Sequence, residues 1–480
     1  MESLDVDVLI VGAGLSGIDM ACRLTRALPD HTFAILEARD AIGGTWDLFR
    51  YPGVRSDSDM YTLSFPFRPW TREAAISEGG AIRDYIRETA TEFGIAERVR
   101  FDQRVVGASW SSITARWTVR VETSEGEVGH TCRFLHLATG YYDYDSGHVV
   151  DFPGQEAFSG AIVHPQFWPA DLEVAGRRVV VIGSGATAVT IVPALAGAGA
   201  QVVMLQRSPS YLASRPGTDA LARTAFRVLP DQVAHRVLRS KNIALTTASY
   251  MLMRRFPRGS RALLTKGVAR LLPDAYAVGQ HFAPSYDPWD QRLCLVPDGD
   301  FFEAISSGRA EVVTDTIDTF TPDGIRTASG RDLDADIVVT ATGLRLVVAG
   351  KIALDVDGQV VDLHERFVYR GLMFSDVPNL AWVVGYTNNS WTLRADLAAR
   401  WICRLLASMQ RAGQTTVTPR HTVEEAGRPA VDLTSGYVQR AAGILPKQGA
   451  KRPWSVRQNY LIDRITMSGN RFDDGHLQLT

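Results

Sequence analysis

Two glycine clusters carry the first chemistry legible in this 480-residue chain. Asp7 to Val11 is a short β-branched run without alternation, as a parallel strand buried on both faces requires. It leads into Gly12-Ala13-Gly14-Leu15-Ser16-Gly17, after which Met20, Ala21 and Leu24 predict a helix. In such a turn Gly12 permits the tight bend, Gly14 admits a pyrophosphate to the backbone, and Gly17 lets helix and strand pack closely. The free N–H groups at the helix start attract the phosphates. A second strand, Thr32 to Leu36, ends at Glu37, 37 − 17 = 20 residues past the last glycine, where a carboxylate meets ribose hydroxyls. The pattern recurs. Arg178 to Ile182 predicts another strand, Gly183-Ser184-Gly185-Ala186-Thr187-Ala188 a second turn, then a helix through Leu195 and a strand from Gln201 to Leu205. Here the strand leads into Gln206-Arg207-Ser208 instead of an acid, and Arg207 lies 207 − 188 = 19 residues past Ala188. A guanidinium and a hydroxyl would hold a 2′-phosphate that a carboxylate repels. FAD is therefore expected in the first site and NADPH in the second.

Ala138-Thr139-Gly140 and Ala341-Thr342-Gly343 each close an apolar strand, as in a flavoprotein that takes hydride from NADPH. A disulfide reductase would need a paired redox cysteine near the flavin. Cys22, Cys132, Cys294 and Cys403 are far apart, with no CxxC and no metal-ligand spacing, so no metal is expected. The electrons must go elsewhere, and O2 is the leading acceptor.

Two longer patterns narrow the class. Phe158-Ser159-Gly160-Ala161-Ile162-Val163-His164-Pro165-Gln166-Phe167-Trp168-Pro169 reads FxGxxxHxxxWP. Gly43-Gly44-Thr45-Trp46 through Tyr51-Pro52-Gly53 to Asp57 meets [AG]GxWxxxx[FY]P[GM]xxxD in full. On these residues the chain resembles the type I Baeyer–Villiger monooxygenases nearly end to end. The resemblance implies oxygen insertion through a C4a-peroxyflavin, turning ketones into esters or lactones and oxidising thioether and thiocarbonyl sulfur. It implies that Arg292, in Pro288-Trp289-Asp290-Gln291-Arg292-Leu293, falls in a strand after a helical insertion and stabilises negative charge on the peroxide and the tetrahedral adduct. Arginine suits that role because it does not give up its proton. Asp57 would pair with Arg292 and orient it; the alternative is a plain interdomain salt bridge. Gln291 departs from the lysine that many members carry there to help hold the 2′-phosphate. The fingerprint segment of Phe158, Gly160, His164, Trp168 and Pro169 would couple domain motion, although a histidine in a linker is more often a structural hydrogen-bonder. Trp454 and Asn459 resemble a segment that folds over the nicotinamide ribose, and the Gly385–Trp391 stretch would lie near the flavin. Core packing is an equal reading of both tryptophans.

These residues need elements to position them. The expected class is α/β, with two Rossmann-like dinucleotide-binding domains and a helical insertion. An FAD domain is expected over 1–145 and 348–480, a linker over 146–151, an NADP domain over 152–210 and 292–345, and the insertion over 211–291. The length exceeds what one core usually supports. A 45% hydrophobic and 22% charged composition is that of a soluble globular chain. The net charge of −2 gives no overall pull toward nucleic acid. Sparse cysteines and an acidic start, MESLDVDVLIVGAG, point to a cytoplasmic protein without a signal peptide. The uncharged stretch between Arg178 and Arg207 is long enough to mimic a membrane span, but its glycines and Pro193 read as strand, turn, helix and strand. From Arg215 to Arg270 there are twelve Lys or Arg and two acids, +10 in a chain of −2. A solvated surface that attracts NADPH is one reading; weak contact with a membrane surface is the other.

The substrate is expected to be a small apolar ketone or sulfide. The alternatives are an N- or S-oxygenating flavin monooxygenase without carbon migration, an uncoupled NADPH oxidase, and a redox-sensing flavoprotein. Trp168-Pro169 and Arg292 argue against the first, and Arg292 with Asp57 against the last.

Overall fold

The computed structural model describes residues 3–431 and 433–480. Asp5–Val11 forms the expected buried strand and pairs in parallel with Phe33–Leu36 on one side and Gly126–Leu137 on the other. Val8, Leu9 and Ile10, which point in turn to the two faces of the sheet, are all fully buried, so the run has no solvent face and its sequence does not alternate. An antiparallel meander of Arg104–Ser111, Arg116–Thr123 and Gly126–Leu137 widens this sheet, and the returning chain adds Ala353–Val356 and Leu380–Trp382. Helices Leu15–Ala27 and Trp391–Ala412 pack in its apolar core.

A second sheet is wholly parallel, in the order Ala310–Thr314, Gln201–Gln206, Arg178–Ile182, Ile337–Thr340, Ala161–Val163. The uncharged stretch resolves into strand Arg178–Ile182, helix Ala186–Gly197 and strand Gln201–Gln206. Among the described residues no helix is long and apolar enough to cross a membrane. The FxGxxxHxxxWP segment supplies the edge strand of this sheet. The fit there is close: a Cβ on Gly160 would stand 2.4 Å from the Asp336 carbonyl oxygen and 2.5 Å from the Phe158 ring.

Between strands Leu212–Arg215 and Cys294–Pro297, paired in parallel, lie helices Ala220–Val228, Asp231–Arg255, Pro257–Ala269 and Val278–His281. Ala234, Leu238 and Ile243 join the core of the first sheet, whereas Val268, Leu272 and Phe282 join that of the second. Buried Arg239 donates to the carbonyls of Tyr61, Thr62 and Ser64, which fixes the long helix to the first sheet's side.

The chain crosses between the sheets twice, side by side. Tyr142 bridges Leu346 in antiparallel fashion, Asp143 N–H donates to the Arg345 carbonyl (2.8 Å), and Val347 N–H to that of Tyr141 (3.0 Å).

Candidate active site

Both glycine motifs adopt the turn expected of them. Gly12 (φ +104°) lies under Ala138, whose carbonyl oxygen a Cβ would approach to 2.6 Å. Gly183 (φ +134°) lies under Ala341 in the same way, at 2.4 Å. The two Ala-Thr-Gly repeats are thus the floors of the two turns. Each helix begins directly after its middle glycine, at Leu15 and Ala186, inside the motif. The N-caps are Gly14 and Gly185, neither of which gives a side-chain cap. The first N–H groups of both helices are left for a ligand. Gly17 could not carry a side chain, since a Cβ would meet the Gly12 carbonyl oxygen at 1.9 Å, and Ala188 is buried in the second core.

A cavity of about 870 Å³ connects the two turns. On the first side it is walled by Gly12, Gly14, Glu37, Gly44, Thr45 and Trp46, on the second by Gly183, Gly185, Thr187, Arg207 and Ser208. Glu37 closes the strand Phe33–Leu36 and is buried; its carboxylate accepts from the N–H groups of Ala13 (2.8 Å) and Arg39 (3.0 Å). Burial raises its pKa against the lowering effect of those two donors. Gly44 rests on Gly14, where a Cβ would come within 2.9 Å of the Gly14 Cα, and Thr45 Oγ1 lies 3.3 Å from the Tyr144 hydroxyl. These glycine cradles and uncapped helix ends fit two dinucleotides. Arg207 is exposed on the cavity and makes no ion pair with a described residue, while the Ser208 carbonyl accepts from Ser184 Oγ (2.9 Å).

Asp57 and Arg292 meet in the same cavity. Arg292 Nε lies 3.2 Å from Asp57 Oδ2. Arg292 is not in a strand as expected: it sits two residues ahead of Cys294–Pro297, in the lead-in left when the insertion returns. Loss of water works against its charge, but the Asp57 carboxylate keeps its pKa above the ordinary arginine value. Tyr141, Tyr142 and Tyr437 surround the pair, and burial pushes all three phenols up, so they stand as neutral hydroxyls. The Tyr141 and Tyr142 hydroxyls are 3.0 Å apart. Tyr141 stacks on Trp391 at 5.1 Å, and the Trp391 indole N–H donates to Ser16 Oγ (2.8 Å), which brings the Gly385–Trp391 stretch to the first glycine turn.

The family model for FMO-like, flavin-binding monooxygenase-like proteins matches residues 5–240. The FAD-containing monooxygenase EthA of Mycobacterium tuberculosis is 50% identical over 475 residues, covering 98% of this chain and 97% of its own. The chain belongs to the flavin-binding monooxygenase-like family. The monooxygenase is also 46% identical over 476 residues to the probable FAD-binding monooxygenase AlmA of Acinetobacter baylyi, covering 98% of this chain and 95% of that one. Among solved structures it is similar to oxidized steroid monooxygenase bound to NADP (TM-score 0.77, 21% identity, 99% of each chain). It is likewise similar to an open structure of cyclohexanone monooxygenase (TM-score 0.76, 20% identity, 100% of each chain). At those identities the likeness establishes the fold.

Some sequence expectations of the monooxygenase need correction. Trp454 is not at the cavity: it is buried in the first core, edge-on to Tyr369 (5.5 Å) and His421 (4.7 Å). Asn459 caps the helix Tyr460–Thr466 by accepting from the Ile462 N–H. The W-x4-N spacing here serves packing and capping. His164 caps the short turn Pro165–Phe167, its Nδ1 accepting from the Gln166 N–H (3.2 Å), and burial lowers its pKa. Its ring lies flat on Gly147 of the crossing segment, where a Cβ would come within 2.2 Å. Trp168 packs on the second core. Sequence reasoning missed Tyr141, Tyr142 and Tyr437; the run Tyr141-Tyr142-Asp143-Tyr144 directly after Ala-Thr-Gly was the available signal for the first two. All four cysteines are free and buried, and burial pushes the Cys294 and Cys403 thiols up to about 12, which suits no redox pair.

Proposed function

We propose that the enzyme is an NADPH-dependent Baeyer–Villiger monooxygenase with FAD in the first glycine turn and NADPH in the second. The observation that carries this reading is the Arg292–Asp57 ion pair in the cavity between the two turns. FAD supplies hydride acceptance from NADPH and the activation of O2. The balance is ketone, O2, NADPH and a proton going to ester or lactone, NADP+ and water. Glu37, with each carboxylate oxygen already fixed by one backbone donor, holds a ribose hydroxyl. Arg207 and Ser208 take the 2′-phosphate. Arg292 would face the negative charge that develops on the ketone oxygen when the carbonyl is attacked, ahead of carbon migration, and Asp57 orients the guanidinium. Neutral Tyr141, Tyr142 and Tyr437 line an otherwise aromatic wall that favours small apolar substrates. An oxygen-atom transfer to thioether sulfur needs no such cation, so sulfoxidation accompanies the ketone reaction.

The test is product analysis by gas chromatography and mass spectrometry after incubation with NADPH, O2 and a mixture of linear ketones, cyclic ketones and a thioether. Ester or lactone with one added oxygen is the expected result. Sulfoxide alone would move the enzyme to sulfur oxygenation, and NADPH consumption yielding only hydrogen peroxide would make it an oxidase toward these compounds.

A further inference from the structure

The helical insertion carries a surface that oxygen transfer does not use. Of the twenty exposed large apolar side chains among the described residues, eleven fall between Leu221 and Leu271. On helix Asp231–Arg255, exposed Val233, Val237, Leu245 and Leu252 follow at intervals of 4, 8 and 7 residues, one helical stripe. The buried side chains His235, Arg239 and Ile243 lie on the opposite side of the same helix, turned toward the first core. Phe256 (55% exposed) marks the break to helix Pro257–Ala269, where Leu263 is 67% exposed.

The charge around this stripe has one sign. No acid occurs from Gln232 to Pro273. Arg227, Arg236, Arg255, Arg258, Lys266 and Arg270 form no ion pair with any described residue, whereas the neighbouring Arg254 and Arg261 pair with Asp290 (2.6 Å) and Asp287 (3.0 Å). Unpaired cations interleaved with exposed Leu, Val, Met and Phe require a partner that offers anions and an apolar phase together. A second copy joined by a two-fold axis would set this surface against its own charges. A nucleic acid would leave the aliphatic side chains without a counterpart. An anionic bilayer satisfies both groups, its headgroups taking the arginines and its acyl boundary the stripe.

We propose that the outward face of residues 231–269 docks the enzyme on an anionic lipid surface. The inner side of the same helices buttresses the segment that carries Arg292, through Tyr250 edge-on to Trp289 (5.4 Å), Arg254–Asp290 and Arg261–Asp287. Docking therefore brings the lipid phase to the side of the molecule from which Arg292 is supported. Delivery of apolar substrate from that phase rests on the monooxygenase reading; the docking itself does not.

The FAD-loaded full chain is sedimented with vesicles of equal parts phosphatidylglycerol and phosphatidylcholine, and with phosphatidylcholine alone. Binding is expected to the anionic vesicles only, with release at roughly 0.5 M salt. Arg236→Glu/Arg255→Glu/Arg258→Glu should weaken binding by more than about tenfold, and Leu245→Ser/Leu252→Ser should weaken it at low salt, both with unchanged NADPH oxidation. Arg255→Gln/Arg258→Gln serves if the triple variant does not hold FAD. Equal partition to the two vesicle types, or anionic binding that survives charge reversal, would overturn the proposal. So would a dimer in light scattering that Leu245→Ser/Leu252→Ser dissociates.

Discussion

Gly53 presses on the carbonyl oxygen of Thr190: a Cβ at Gly53 would stand 2.9 Å from that oxygen and 2.8 Å from the Ala194 methyl. The loop between Trp46 and Asp57 therefore seats itself directly on the helix of the second glycine turn, and φ of +74° at Gly53 gives the backbone its shape there. Gly53→Ala should destabilise the protein by about 2 kcal/mol, through both the left-handed backbone and the lost approach. Thermal unfolding should show a midpoint several degrees lower. An unaltered midpoint would mean that the two halves separate at that contact without cost.

Arg292→Ala should leave NADPH oxidation intact and lower ester formation by at least about a hundredfold, because the cation acts on charge that develops when the ketone is attacked. Asp57→Asn should give a smaller loss, about tenfold, by releasing the guanidinium from its 3.2 Å partner. Product formed per NADPH consumed is the measurement. An unchanged ratio in Arg292→Ala would reduce the pair to a domain-bridging contact.

Arg207→Ala should raise the NADPH KM by about tenfold and narrow the preference over NADH, since the exposed guanidinium has no ion-pair partner among the described residues. Steady-state kinetics with both nucleotides decides it. If the NADPH-to-NADH ratio holds, another residue carries the 2′-phosphate.

Much of this arrangement was legible in the sequence because the glycine turns impose backbone demands that few other residues meet. Gly12, Gly17 and Gly183 each sit where a Cβ would strike a carbonyl. The strands flanking them read correctly for the same reason they are buried: a parallel sheet covered on both faces leaves only apolar positions. Trp454 did not read correctly, because a tryptophan beside an asparagine four residues on looks the same in a mobile loop as in a core. The tyrosines around Arg292 were also missed. Tyr437 comes from a distant short helix, Gly436–Arg440, and no local spacing relates it to Arg292.

Acid should weaken the fold through two buried histidines. Burial depresses His136 to about 3 and, with help from Arg239, His235 to about 4, from an ordinary 6.5. The unfolded chain then takes up these protons first, so the stability of the neutral form is full above pH 6.5 and is lost as pH falls toward 4. The loss is on the order of 2 kcal/mol per histidine by pH 5. Urea unfolding at pH 7.5 and pH 5, compared with His136→Leu, measures it; the variant should show a flatter pH dependence, and an equal slope would remove His136 from the account.

The two crossings between the sheets have a mechanical consequence. Because Tyr141–Asp143 and Arg345–Val347 are hydrogen-bonded as one antiparallel ribbon, the halves of the enzyme are joined by a torsion bar and not by two independent tethers. A ribbon resists shear between its strands but yields to twist along its length. Rotation of one half against the other must therefore turn Tyr141 and Tyr142, whose rings lie in the ribbon and against Arg292 and Trp391. Any change of angle between the two glycine turns is thereby carried to the tyrosines around Arg292.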